Sequence, residues 1–398
     1  MITETPFRLL GKKPHIISLM LLSAFASMGA VLMAPALPQM SHFFKISMGS
    51  TQLVVTSFLF GFAIGQLIYG PFANRWGRKS ALYIGVGIAT LGSLLSILSS
   101  PFESFHLLLW GRFIEALGAS AGLAVCFTVI NDFYFPQQAR RITAILMIAF
   151  AIVPGIAIAV GGNLTQYINW QACFYFLLFY GLMLIYPVFH LPETISQFDH
   201  RALHHKQILK NYSAVLHNKK LIGYSLLSGL SSANIYVFGA AGPFIGIHIL
   251  HIAPALYGFL GLIPYIGVLL GSAVVIRLTN LDVLLVLKFA FLLQLIAAII
   301  MLICFALHDI TLMTLFIPMG ILCVGHPMIA STALSLAMQQ IEDKANGSAI
   351  MNFLAISMPV LMTFILGALH ITAAWMMPCL FLLALFLMLV IHKLICKK

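Results

Sequence analysis

The chain has 398 residues, of which 61% are hydrophobic and only 8% charged, and its mean hydropathy is +1.04. Soluble domains carry about 25% charged residues, so a water-soluble globular fold of this length is excluded: it could not cover its own surface. The formal net charge of +11 would suit nucleic-acid binding in a soluble protein, but here the basic residues sit in short loops between apolar runs, where they set orientation in a membrane.

Runs of about 20 apolar residues, the length that crosses a ~30 Å hydrocarbon core, recur along the chain. Taken in order they predict spans at Ile16–Leu37, Thr51–Tyr69, Ser80–Leu98, Phe105–Val129, Ile142–Val160 and Trp170–Phe189. Six more follow at Leu221–Ala241, Pro254–Ile276, Val283–Leu307, Ile310–Met338, Gly347–Leu369 and Ala373–Ile391. Lipid leaves no partner for the backbone of an open strand, so these runs are helices. The first is longer than the 7–15-residue core of a signal peptide and more spans follow it, so it reads as an uncleaved first helix.

With the N-terminus in the cytoplasm, one side receives Arg8, Lys12, Lys13, Arg75, Arg78, Lys79, Arg140 and Arg141, then Arg201, Lys206, Lys210, Lys219 and Lys220, then Arg277, Lys288, Lys344, Lys393, Lys397 and Lys398. The other receives Lys45 alone, and Arg112 falls inside a span. That asymmetry predicts an even number of spans and two cytoplasmic termini. The longest polar stretch, Leu191–Lys220, divides the chain near its middle. The expected fold is therefore an all-α polytopic membrane protein of twelve transmembrane helices in two six-helix bundles. Residues 1–190 form the first, 191–220 a cytoplasmic connector and 221–398 the second, the layout of a transporter built from two repeats.

Cysteine and histidine placement offers no other chemistry. Cys126, Cys173, Cys304, Cys323 and Cys379 lie in apolar segments and Cys396 in the tail, without CxxC or Cys/His metal spacing; they read as small buried hydrophobes. An intramembrane zinc protease needs His-Glu-x-x-His, which is absent. Glycine-framed Ser/His pairs and paired intramembrane Asp are not evident either. The expectation is no enzyme, no metal and no cofactor.

The most specific motif lies between spans two and three, Gly70-Pro71-Phe72-Ala73-Asn74-Arg75-Trp76-Gly77-Arg78-Lys79. Its glycines suit a tight turn at the membrane surface, and its cations can meet acidic groups or helix C-termini when two halves rock. The spacing resembles the signature of the major facilitator superfamily. Further matches are Arg112-Phe113-Ile114-Glu115-Ala116-Leu117-Gly118 in span four and Pro35-Ala36-Leu37-Pro38 ending span one. Leu191-Pro192-Glu193-Thr194, Gly242-Pro243-Phe244 after span seven, and Ala345-Asn346-Gly347-Ser348-Ala349 complete the set. Together they are similar to the bicyclomycin/chloramphenicol-resistance (Bcr/CflA) branch of drug:proton antiporters.

The resemblance implies a proton-coupled exporter of drug-like molecules in the cell inner membrane, acting by alternating access as a monomer, with protons and a small solute as partners and no nucleic acid. Gly70, Asn74, Arg75, Gly77, Arg78 and Lys79 would control the gate. Three departures from the branch stand out. Asn74 replaces an Asp, Val31 stands where the branch has an Asp, and the span-five Gly-Pro is absent, Pro154 lying earlier while the pair Gly161-Gly162 remains. These keep open an alternative: a carrier of the same fold for one polar metabolite, such as an anionic siderophore, with Arg112 as its carboxylate ligand.

Charge inside a membrane is costly and points to function by default. Entering at Phe105, span four carries Arg112 roughly 10 Å and Glu115 about 15 Å deep, three residues apart on one face. Glu115 stands where the branch tends to have Gln, and is the one acidic residue placed mid-membrane. Burial and the adjacent guanidinium act on its carboxyl in opposite senses, which makes it a candidate proton carrier; the alternative is a mutual ion pair that neutralises Arg112 during insertion. His326 in span ten can titrate near neutral pH or simply pack through a hydrogen bond. Met28, Met33, Asn234, Tyr236 and Phe238 are candidate cavity residues, since methionines and aromatics suit varied apolar ligands; most such side chains merely pack or face lipid.

Overall fold

In a computed structural model, residues 13–195, 198–199, 202–277, 282–340, 344–369 and 373–396 are described. Arg8, Lys12, Arg201, Lys397 and Lys398, all assigned above to the basic side, lie outside them. Each apolar run folds as helix. The first half contains α1 (Ile16–Val31), α2 (Leu37–Phe44), α3 (Met48–Trp76), α4 (Arg78–Leu98), α5 (Phe105–Phe133), α6 (Pro136–Tyr167) and α7 (Gln171–His190). After α8 (His205–Leu216) come α9 (Lys219–Pro243), α10 (Pro254–Leu260), α11 (Leu262–Arg277), α12 (Val283–Ala306), α13 (Leu312–Met338), α14 (Lys344–Ala368) and α15 (Met376–Cys396). Eleven helical runs among the described residues are long and apolar enough to cross a membrane. The 32-residue α6 occupies the place of the fifth span, and with it the twelve-helix fold is complete.

Polar residues set several of the boundaries. Ser47, Ser104, Asn218, Asp282 and Thr311 accept from backbone N–H groups in the first turns of α3, α5, α9, α12 and α13, where those groups lack helical partners. Within the first half, α5 packs closely on α3 and α4 because small residues let the backbones approach: Gly118 of α5 faces the Gly85 carbonyl and Ala89, and Gly111 faces Ser96. In the second half α13 packs on α9, α11 and α12, and α15 on α9 and α12. The two main seams between the halves are α3 against α14 and α6 against α10 and α11, and the end of span one also touches α9 and α10.

Several expectations change in detail. The first span does not stop at Leu37: a 3-10 turn at Ala34–Ala36 leads into α2, which reaches Phe44. Span seven likewise continues beyond Ala241, through Gly242-Pro243 into a π-helical turn at Phe244–Ile249. The largest correction concerns the loop motif. Gly70 through Trp76 are the last turns of α3, and open space surrounds Gly70, so Gly70 makes no turn. Gly77 makes it alone, at φ +95°, a conformation that L side chains avoid. The connector also carries secondary structure, since its basic stretch folds as α8. Tyr212 Oη on α8 donates to the Leu67 carbonyl of α3 (2.9 Å), while Val215 packs with Leu221, Ala337 and Ile350 of the second half.

A buried charge pair, a charged helix turn and a polar cluster

Arg112 and Glu115 face each other inside the first bundle. Arg112 Nη1 donates to Glu115 Oε2 (2.8 Å) and Nη2 to the Gly29 carbonyl of α1 (2.6 Å). The guanidinium lies over the Phe58 ring of α3, 4.2 Å from its centroid, with Phe174 of α7 at 5.9 Å; a cation over an aromatic face is stabilised by the ring quadrupole. Arg112 is 0% and Glu115 1% exposed, so the pair is sealed from solvent in this conformation. Gly92 of α4 abuts the Glu115 backbone, so α4 and α5 are in close contact at the level of the carboxylate. Arg112 Nε has no partner: one nitrogen of the guanidinium donates to nothing in an apolar setting, a costly arrangement unless something else takes it up.

A second charged assembly surrounds the α3–α4 turn. Arg78 Nε pairs with Asp132 Oδ2 of α5 (2.9 Å), and its Nη1 donates to the Ala73 carbonyl (2.8 Å) and to Asn74 Oδ1 (2.8 Å). Glu193, just past α7, accepts from the backbone N–H groups of Arg78 (2.9 Å) and Lys79 (3.0 Å). It thereby places a carboxylate at the positive end of α4. Any side chain on Gly77 would meet that carboxylate, at 2.6 Å for its first carbon. Lys79 Nζ donates to the Phe189 carbonyl (2.6 Å). The neutral Asn74 thus serves as a hydrogen-bond acceptor for Arg78, and Asp132 supplies the negative charge. Sequence reasoning missed Asp132, which lies 54 positions from Arg78 without any local pattern to join them. It quoted Glu193 only as part of a motif; a carboxylate shortly after one helix gives no sign that it caps another.

His326 sits in a polar cluster of the second bundle. Gln294 Nε2 of α12 donates to Ser231 Oγ of α9 (3.2 Å) and to the Leu322 carbonyl (3.2 Å); Ser231 Oγ lies 3.1 Å from His326 Nδ1. One turn along α9, both polar atoms of Asn234 are buried without a partner, as is Gln294 Oε1. Ser231 and Gln294 were absent from the sequence reading, because a lone Ser or Gln in an apolar helix carries no periodic signal.

The cavity candidates divide. Met28 and Tyr236 are half-buried, whereas Met33 (0% exposed) and Phe238 (4%) are packed, Phe238 edge-on to Phe316 with centroids 6.0 Å apart. The span-five motif lies on the seam between the halves. A side chain on Gly161 would overlap the Leu32 carbonyl at the end of α1, and one on Gly162 would overlap the Pro254 carbonyl of α10. The adjacent glycines let α6 touch its own bundle on one side and the other bundle on the next. Pro154 is half-buried within a continuous α6.

The profile of the Major Facilitator Superfamily matches residues 19–358. This chain belongs to that superfamily. As a major facilitator it is a multi-pass membrane transporter of small molecules and not an enzyme, and such transporters run on ion gradients without a cofactor. It is similar to a "Bicyclomycin resistance protein homolog" of Haemophilus influenzae, 24% identical over 332 residues, 83% of this chain and 82% of the relative. Over shorter stretches it is similar to the Escherichia coli "Multidrug resistance protein D", 29% identical across 41% of each chain. It also resembles a "Chloramphenicol resistance protein" of Pseudomonas aeruginosa, 33% identical across 40% of this chain and 38% of the relative. These relatives agree with the Bcr/CflA branch that the motifs suggest. The fold matches the E. coli xylose transporter XylE with a TM-score of 0.71 at 13% identity, covering 95% of this chain and 98% of that one.

Proposed function

We propose that this major facilitator is a proton-coupled exporter of drug-like small molecules, working as a monomer in the inner membrane with both termini in the cytoplasm. The observation that carries the reading is the Arg112–Glu115 pair, a carboxylate and guanidinium held 2.8 Å apart in the interior of a membrane bundle. Charges are rarely kept there without a task. In this reading Glu115 takes up the proton: when it does, Arg112 loses its counter-ion and the packing among α1, α3 and α5 changes. The two halves, 1–190 and 221–398, would move about the seams and the connector 191–220, with Asn74, Arg75, Gly77, Arg78 and Lys79 at the hinge of α3 and α4. Gly161 and Gly162 would permit sliding at the α6 seam. Met28, Asn234 and Tyr236 would line the path, and His326 would offer a second titratable group.

A second reading, one polar or anionic metabolite such as a siderophore as cargo, draws on the unused Nε of Arg112 and on Val31 in place of a carboxylate. Reconstitution in proteoliposomes under an imposed pH gradient, with a panel of dyes, drugs and siderophores, separates the two. Gradient-dependent extrusion of several unrelated cationic or neutral compounds supports the first, and movement of a single anionic compound supports the second.

A further inference from the structure

A groove of about 270 Å³ opens in the side of the second bundle, away from both seams between the halves. Its floor is apolar, formed by Leu227 of α9, Ile329 of α13 and Met388 of α15, each under 5% exposed. Its rim is Leu292 of α12 and Leu389 of α15, which are 52% and 41% exposed on the outer surface of the bundle, where the neighbours are lipid tails. Two basic side chains, Lys288 and His392, line the same groove, and among the described residues no carboxylate lines it. The nearby Asp282 carboxylate caps the start of α12.

The placement of the two basic residues is informative. Lys288 is the sixth residue of α12, and His392 lies four residues before the end of α15. Both are thus within roughly 8 Å, along their helices, of the face at which α12 begins and α15 ends. A lysine that near a membrane surface carries its ammonium outward to headgroup level while its stem stays in the apolar zone. The groove therefore presents positive charge at headgroup depth and a hydrocarbon slot below it. Its volume is under the 300–1,000 Å³ usual for drug-sized ligands, and every residue lining it belongs to the second bundle.

We propose that this groove is a binding site for one acyl chain of an anionic glycerophospholipid, whose headgroup phosphate meets Lys288 and His392. Basic pockets between transmembrane helices recognise anionic headgroups in this way. The site is separate from the transport path and does not depend on the proposed export function.

The test uses the purified full-length protein in detergent with equimolar dioleoyl-phosphatidylglycerol and dioleoyl-phosphatidylcholine, bound lipids being counted by native mass spectrometry. Phosphatidylglycerol adducts should exceed phosphatidylcholine adducts. Lys288→Gln should cut that preference about fivefold, the equivalent of ~1 kcal/mol per basic residue near the surface, and Lys288→Gln with His392→Gln should bring the two lipids to parity. Leu227→Trp, which fills the floor and keeps both charges, should reduce retention of either lipid; if it does not fold, Leu292→Trp at the exposed rim makes the same test. Equal retention of the two lipids by the wild type, or an unchanged preference in the double variant, overturns the proposal. So does a dimer of this chain that the double variant abolishes, because the groove would then be an interface between copies.

Discussion

Arg112 has five N–H donors, and the fold provides a carboxylate, a carbonyl and two aromatic faces for them. Removing one partner of such a buried pair leaves the other charge uncompensated, at a cost of about 3–5 kcal/mol. Arg112→Ala should therefore lower the thermal stability of the purified protein and abolish transport. Arg112→Lys should restore little, because an ammonium cannot span Glu115 and the Gly29 carbonyl as a planar fork does. Glu115→Gln separates structure from coupling. The amide keeps an acceptor for Arg112 and matches in shape and charge the protonated carboxyl that the transport cycle itself must populate, so the cost is smaller than that of Arg112→Ala, and folding and substrate binding should persist with downhill exchange retained. Accumulation driven by a pH gradient should be lost. Uphill transport at the normal rate in Glu115→Gln proteoliposomes would reduce Glu115 to a counter-ion and direct attention to His326.

At the scale of elements, the α3–α4 turn combines a backbone requirement with an electrostatic one. Gly77 holds φ +95° and leaves room for the Glu193 carboxylate at the start of α4. Gly77→Val meets both obstacles, a strained φ and a clash with Glu193. It should slow transport severely while substrate affinity, measured by equilibrium binding, stays near wild type; parallel loss of both would argue against a gating role. Glu193→Ala removes the cap, worth about 1 kcal/mol, together with the carboxylate's bonds to the Thr194 and Ile195 N–H groups, but leaves the Gly77 backbone free to turn, and should give a milder defect of the same kind. Helix α6 offers an independent probe. Gly162→Leu cannot be accommodated against the Pro254 carbonyl, so it should force α6 and α10 apart and raise the labelling of a cysteine placed at Ala255, which is buried at this seam and whose backbone N–H donates to Gln166 Oε1 (2.9 Å).

At the scale of the molecule, the seams predict which motion matters. Thr56 of α3 donates to Thr363 of α14 across the halves (3.0 Å), toward the end of the molecule opposite the start of α1. If the halves must separate there, a Thr56→Cys/Thr363→Cys cross-link in a background lacking the native cysteines should stop transport, and reductant should restore it. Continued transport by the cross-linked protein would rule out opening along this seam. Reporter fusions in the connector and after Cys396 should both report a cytoplasmic location; a periplasmic signal from either would invert the proposed orientation.

Much of the architecture is legible in the sequence, and the reason is physical. A segment in lipid must satisfy its own backbone, so about 20 apolar residues have a single outcome, and the spans from Phe105 to Val129 and from Val283 to Leu307 agree with α5 and α12 to within a few residues. Basic residues are costly to bury, so their crowding in alternate loops is a strong local signal. Arg112 and Glu115 were visible for the same reason, and being three apart on one helix they could be paired before any fold was known. Contacts between distant segments were not legible. Nothing local joins Arg78 to Asp132, Glu193 to the start of α4, or Gln294 and Ser231 to His326, because each pair meets only when separate helices pack. The loop motif shows the same limit: its residues were recognised, yet whether Gly70 or Gly77 turned the chain depended on how far α3 could extend before Glu193 capped its successor. Hydropathy and charge spacing along the chain set which segments enter the membrane and which charges go with them. Helix packing set which carbonyls, rings and carboxylates those charges meet, because in an apolar medium each polar atom takes whatever partner lies within hydrogen-bond reach.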